Sequence, residues 1–279
     1  MKKIILILMS LFFMCIVSYA QDFERQGGLY IYLEPASTET VNEIGEFLIK
    51  DPLEQQSGLD ISKGVVLQGI PNASYGRERI DDIETGELGV ETVSFESYTP
   101  ANGLYKLTIV GSASGKYYLD IDSYDVNFTS NVQKIDGATY PGKIDNYEIT
   151  YSSVPGSHVT VKYTGSSSIP VFDGKGQSPS EVNKFLQYFK PMQVRTELPA
   201  GTQSFSLSII YGKTVKRETF KAMLNRKDIS GQFDPLPGKL EVVNIPLAQG
   251  SNTLVLSIKG VKTGGRTAED TDRIVFIVP

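Results

Sequence analysis

The chain of 279 residues has no tryptophan, one cysteine and one histidine. With Cys15 alone, disulfides, thiol catalysis and cysteine-ligated metals drop out together once the leader that carries it is removed. A catalytic histidine needs a nucleophile and an orienting acid beside it in space. His158 instead heads an alternating run, with Thr160 and Lys162 on its own face and Val159, Val161 and Tyr163 on the other, the pattern of a solvated strand residue. The missing tryptophan removes the commonest sugar-stacking side chain. Fifteen tyrosines could offer flatter platforms, but most of them alternate within strand-like runs, where core packing is their role. No phosphate loop is present.

The N-terminus reads as a secretory leader. Lys2 and Lys3 precede an apolar run from Ile4 to Val17, and Ser18-Tyr19-Ala20 supplies small residues where a signal peptidase reads, so cleavage is expected between Ala20 and Gln21. The run is too short for a permanent span, which needs ~20 apolar residues. Bulky Leu11-Phe12-Phe13-Met14 ahead of Cys15 argue against lipidation. The mature chain then carries 25 basic and 32 acidic residues, net −7. That sign argues against nucleic acid and anionic lipid, whose phosphates are held by clustered Lys and Arg.

Period-two alternation dominates the mature chain. Leu29–Leu33, Tyr105–Val110, Tyr117–Asp122, Tyr147–Tyr151, His158–Tyr163, Phe205–Tyr211, Val242–Leu247 and Thr253–Ile258 each place apolar or aromatic residues at every second position. Most have one polar face, as in antiparallel sheets half covered by a core. Arg273–Val278 is apolar on both faces and predicts a central strand between layers. One segment departs from this. In Ser178–Phe189, Val182, Phe185, Leu186 and Phe189 fall at helical spacing behind a Ser178, Pro179, Glu181 start signal, predicting a short helix near residues 179–189. Gln55–Lys63, Arg77–Gly89 and Gly165–Gln177 read as loops. The expected organisation is a signal peptide over 1–20 and two all-β antiparallel sandwich domains, immunoglobulin-like or jelly-roll-like, over 21–130 and 131–279.

Two regions are familiar. Pro71-Asn-Ala-Ser-Tyr-Gly76, Pro100–Gly111 and Gly115–Ile121 resemble the pre-peptidase C-terminal-like modules of secreted bacterial proteins, in which a G-x-Y-x-L-x-V-x-G hairpin recurs. Leu198–Gly201, Leu224-Asn225, Gly250–Leu254 and Gly265–Arg273 resemble the immunoglobulin-like C-terminal tails of similar proteins. The resemblance implies an accessory, non-catalytic role. In the first region Gly103 and Gly111 bracket a strand, and Gly115 is expected to reverse it into a hairpin with Tyr105, Leu107, Tyr117, Leu119 and Ile121 on one face.

The acids are the remaining candidates for chemistry. Asp81, Asp82, Glu84 and Glu87 fall in a loop, Asp120, Asp122 and Asp125 run off a strand end, and Glu269, Asp270 and Asp272 precede the final strand. Calcium takes six to eight oxygens, often from such loops, but none of the three groups has EF-hand spacing. For the last group the leading expectation is a structural bracket, Asp270 or Asp272 pairing Arg266 or Arg273. Calcium is the one cofactor these residues suggest. The expected function is a non-catalytic secreted or periplasmic module that binds a protein or glycan partner or serves a structural role. The alternatives are a hydrolase or inhibitor using loop carboxylates and a calcium-stabilised adhesin.

Overall fold

A computed structural model describes residues 27–36, 44–79, 91–173, 185–190 and 195–279. The leader with its Ala20-Gln21 junction, the acids between residues 80 and 90, and most of the expected helix lie outside them. Among the described residues the chain builds antiparallel sheets packed as sandwiches, with a three-residue 3-10 turn at Ser230–Gln232 as the sole helical element.

Eleven strands make the first sandwich. They are β1 (Gly28–Pro35), β2 (Gly45–Lys50), β3 (Gln56–Asp60), β4 (Val65–Gln68), β5 (Ala73–Arg79), β6 (Glu91–Ser97), β7 (Gly103–Gly111), β8 (Gly115–Tyr124), β9 (Ser130–Thr139), β10 (Lys143–Tyr151) and β11 (Thr160–Ser168). One sheet has the order β5-β6-β1-β8-β9 and the other β11-β10-β7-β2-β3-β4. Alternation dictates what faces the core. Leu29, Ile31 and Leu33 of β1 and Tyr117, Leu119 and Ile121 of β8 point inward from the first sheet. Phe47 and Ile49 of β2, Tyr105, Leu107 and Ile109 of β7, and Tyr147, Ile149 and Tyr151 of β10 meet them from the second. Each fully buried aliphatic or Phe side chain contributes about 1.5–3 kcal/mol relative to exposure.

The expected Gly103–Ile121 hairpin does not form. β7 pairs with β2 and β10, while β8 pairs with β1 and β9, so the chain crosses from one sheet to the other between them. Tyr105 and Leu107 therefore face Tyr117, Leu119 and Ile121 across the core instead of lying beside them. The Ser112 and Ala113 N–H groups both donate to the Ile44 carbonyl and hold this arch. Gln55–Lys63, expected as a loop, contains β3, whose last four residues are buried. Gly58 fits there because its φ is +111° and a Cβ would sit 2.2 Å from the Phe47 carbonyl oxygen.

The expected division at residue 130 is displaced. β9 hydrogen-bonds along β8, and β10 and β11 extend the six-stranded sheet, so the change of sandwich falls between Ser168 and Leu186. Beyond it lie β12 (Leu186–Tyr188), β13 (Thr196–Glu197), β14 (Ser204–Tyr211), β15 (Val215–Leu224), β16 (Lys227–Asp228), β17 (Leu240–Pro246), β18 (Gly250–Val261) and β19 (Thr267–Val278). They form sheets β12-β14-β17 and β13-β19-β18-β15-β16 over a second core that includes Leu207, Ile209, Ile245, Leu254, Leu256, Ile274 and Phe276.

Where the expected helix enters the described residues, it is a strand. Leu186 and Tyr188 are buried with Gln187 between them half-buried, and they pair with Tyr211 and Ile209 of β14. The sequence Phe-Leu-Gln-Tyr satisfies a period of two as well as 3.6 over so few residues, and sheet pairing decides the case. β19 is bordered by β18 and by the short parallel β13. Its Ile274, Phe276 and Val278 are buried, Val275 and Ile277 only half so, and Arg273 is exposed.

The sandwiches meet through Leu59, Val110, Val171, Phe189, Ile210 and Leu240. Polar contacts cross the same junction. Arg77 donates to the Leu240 carbonyl at 2.5 Å and pairs with buried Glu46, which also accepts from the Tyr75 hydroxyl. Phe172 and Tyr188 exchange backbone hydrogen bonds at 2.8 and 2.9 Å.

Candidate binding surface

The five-stranded sheet of the first sandwich turns its second face outward. In β1 the residues between the core positions are Tyr30, Tyr32 and Glu34, and register fixes what lies beside them. Tyr30 is flanked by Glu96 of β6 and Asp122 of β8, and Tyr32 by Ser94 and Asp120. β8 also presents Tyr118, opposite Glu34, and β9 places Val132 beside Asp122 and Lys134 beside Asp120. The result is a lattice of phenol rings and carboxylates, with Lys134 beside Asp120 and Lys116 at the start of β8 on the same face. Tyr32, Glu34, Glu78, Thr92, Asp120, Asp122, Val132 and Lys134 line an open depression of about 710 Å³ in it.

The tyrosines are held by edge contacts and by carboxylates. Tyr30 meets Tyr98 and Tyr124 edge-on at 5.8 and 5.6 Å between centroids. The Tyr98 and Tyr32 hydroxyls donate to the two oxygens of Glu96 at 2.7 and 3.3 Å. Burial first and then the Glu96 charge push the Tyr30 and Tyr32 hydroxyls up in pKa, so both remain neutral donors. Burial, then the neighbouring Asp120 charge, also raise Asp122 above the usual carboxylate range. Lys134 donates to Asp120 at 3.3 Å and lies 4.2 Å from the centroid of the Tyr118 ring. The hydrogen bond to Asp120 raises the lysine pKa. The other Asp120 oxygen is shielded from solvent and makes no hydrogen bond among the described residues. This surface can therefore accept an ammonium or guanidinium group between a phenol face and a carboxylate.

The remaining acids named from sequence do not join it. Asp125 is buried and accepts from the N–H groups of Asn127, Thr129 and Gly156 at 2.8, 2.9 and 2.8 Å. Those three donors hold its carboxyl below the usual range, and the one side chain ties the β8–β9 turn to the β10–β11 connection. Asp270 and Asp272 share the inward face of β19 with Ile274. Asp270 accepts from the Phe185 and Leu186 N–H groups at 2.9 and 3.1 Å, and Asp272 accepts from the buried Tyr188 hydroxyl at 3.0 Å. The bracket thus runs from these acids to β12 and its approach. Among the described residues neither Arg266 nor Arg273 makes an ion pair, and both are exposed together with Glu269. His158 is exposed and meets Asn131 at 3.0 Å. Among the described residues, no group of three His, Cys, Asp or Glu side chains could hold a metal ion.

Tyr30, Tyr32 and Tyr118 were not singled out in the sequence, where tyrosines were expected in the core. That expectation fits Tyr105, Tyr117, Tyr151, Tyr188 and Tyr211, all fully buried. The sign that separates the two sets is parity: in Leu29-Tyr-Ile-Tyr-Leu33 the tyrosines alternate with the aliphatic face.

No family model matches the chain, and no curated protein matches it. Among solved structures it is similar to the C-terminal domain of the AgI/II polypeptide BspA from Streptococcus agalactiae, at 6% identity and a TM-score of 0.18, over 90% of this chain and 85% of that one. A likeness of that size says nothing about what this chain binds. Among the described residues, no helix is long and apolar enough to cross a membrane.

Proposed function

We propose that the chain is an exported, non-catalytic binding module that takes basic groups of a protein partner on the outer face of its first sheet. The observation that carries this is Lys134. Its ammonium rests against Tyr118 and Asp120, so the face already holds internally the kind of group proposed for the ligand. Glu34, Glu78 and Asp122 line the same depression. Export is inferred from residues 1–20, and mass spectrometry of the chain recovered from cell envelope or medium is expected to show Gln21 as the first residue.

Binding is tested with a lysine- and arginine-bearing peptide titrated against the chain. The expected result is saturable binding that weakens with salt, as for partly exposed charge pairs, and falls about tenfold in the Asp120→Asn, Asp122→Asn double variant, a loss of ~1.4 kcal/mol. Equal binding of a peptide with alanine at the basic positions would sink the reading, as would binding of neutral glycans that ignores both substitutions. A second reading, hydrolysis by the Asp120 and Asp122 pair, is favoured by one observation: Asp122 is held protonated to higher pH beside an acid two residues away. Turnover of a glycoside panel, lost in Asp122→Asn, would establish it in place of the first.

A further inference from the structure

A separate cavity lies at the junction of the two sandwiches. Its volume is about 340 Å³, within the range of small-molecule sites. The arch after β7 supplies Ser112 and Ala113, the residue before β12 is Phe185, the end of β14 supplies Ile210 and Tyr211, and the next turn supplies Lys213. Lys262, just after β18, also lines it.

Three observations point to the occupant. First, the wall is mostly apolar: Ala113, Phe185, Ile210 and Tyr211 are all at least 98% buried yet border the space. Second, in a chain with 32 acids and 27 bases, this wall carries two lysines and, among the described residues, no carboxylate. The Lys213 ammonium donates to the Ser114 carbonyl across the junction, and among the described residues neither lysine meets an acid. Burial lowers the Lys213 pKa, the response of an ammonium drawn from water without a counter-charge. Third, Ser112 borders the cavity and is 1% exposed, and its buried hydroxyl has no hydrogen-bond partner among the described residues. An unsatisfied buried hydroxyl is a cost that an oxygen of a bound molecule would relieve.

We propose that this junction cavity is a binding site for a small organic anion, a carboxylate on an apolar body, with Lys213 as its counter-charge, the Ser112 hydroxyl as a second polar contact and Phe185 and Ile210 packing the body. Because the wall is drawn from both sandwiches, the bound molecule would also clamp them together. The site is independent of the tyrosine face.

The test uses the whole chain and three probes of equal length, octanoate, octanol and octylamine, followed by calorimetry and by the methyl NMR signals of Ala113 and Ile210. Octanoate is expected to bind saturably, raise the melting temperature and shift both methyls. Octanol is expected to bind at least about tenfold more weakly, and octylamine more weakly still, since a carboxylate–ammonium pair is worth more than a neutral hydrogen bond. Lys213→Met keeps the stem and removes the charge, and is expected to weaken octanoate about tenfold while leaving octanol unchanged. Asp120→Asn is expected to leave octanoate unaffected, which separates this site from the outer face. Octanoate that fails to saturate, octylamine that binds as well, or an unchanged octanoate affinity in Lys213→Met would each overturn the proposal.

Discussion

Replacing Asp270 by alanine is expected to destabilise the second sandwich by about 2–6 kcal/mol. One carboxylate oxygen accepts both the Phe185 and the Leu186 N–H, and the acceptor and both donors are buried. Alanine leaves two main-chain donors in the interior without that acceptor, and each such orphan costs about 1–3 kcal/mol. Asparagine can keep a carbonyl oxygen in the same place and loses only the charge, so Asp270→Asn is expected to fall between wild type and alanine. Urea titrations followed by tyrosine circular dichroism give the free energies. Amide exchange gives the local readout: the Phe185 and Leu186 amides should be protected in the wild type and exchange quickly in the alanine variant. A loss below about 1 kcal/mol, or unchanged protection of those two amides, would refute the reasoning.

Particular contacts set the other expected outcomes. Gly137 sits opposite Tyr117, and a Cβ there would lie 2.1 Å from the ring, so Gly137→Ala should cost about 1–3 kcal/mol by overpacking, while Gly76→Ala, with nothing within 4 Å, should stay within about 0.5 kcal/mol by the same denaturation assay. Asp125 has a folded pKa below its unfolded value of about 3.9, so its contribution is present above that value and lost as pH falls through the folded pKa. Acid unfolding of Asp125→Asn should therefore lack that part of the wild-type loss, at lower stability near neutral pH. Glu241 is shifted the other way by burial, although it accepts from Tyr211 and from the Asp234 N–H at 2.7 and 2.9 Å. The folded state then holds its proton more tightly than the unfolded chain, and stability should fall as pH rises from about 4.3 through the raised folded value, a slope that Glu241→Gln should flatten.

The strands were legible because alternation is a local signal. Leu29–Leu33 and Thr253–Ile258 carry their inward and outward faces in the order of their residues. Which sheet a strand joins is not local. Gly103–Ile121 has the spacing of a hairpin, and only the competition of β2, β10, β1 and β9 for its two strands sends them to opposite sheets. Phe185–Phe189 fitted two periods, and the partner that decided between them, β14, lies some twenty residues on. The acids before the last strand read as a bracket to Arg266 or Arg273, since charged side chains are seldom buried unless paired. Parity offered the correction: Asp270 and Asp272 stand in step with Ile274, Phe276 and Val278, and so face inward. The same parity sets Tyr30 and Tyr32 outside, yet nothing in β1 alone announces that Asp120, Asp122 and Lys134 will stand beside them.

The place of β1 has a consequence for how the chain comes into being. Though first in sequence among the described strands, it lies in the middle of its sheet, between β6 and β8, and the latter ends at Tyr124. At synthesis rates of roughly 5–20 residues per second, Leu29, Ile31 and Leu33 wait on the order of 5–20 s before both neighbours exist. During that interval the nascent chain lacks at least one of the two partners of its own central strand. It stays open to a chaperone or a translocation pore, and closes only when β8 has emerged.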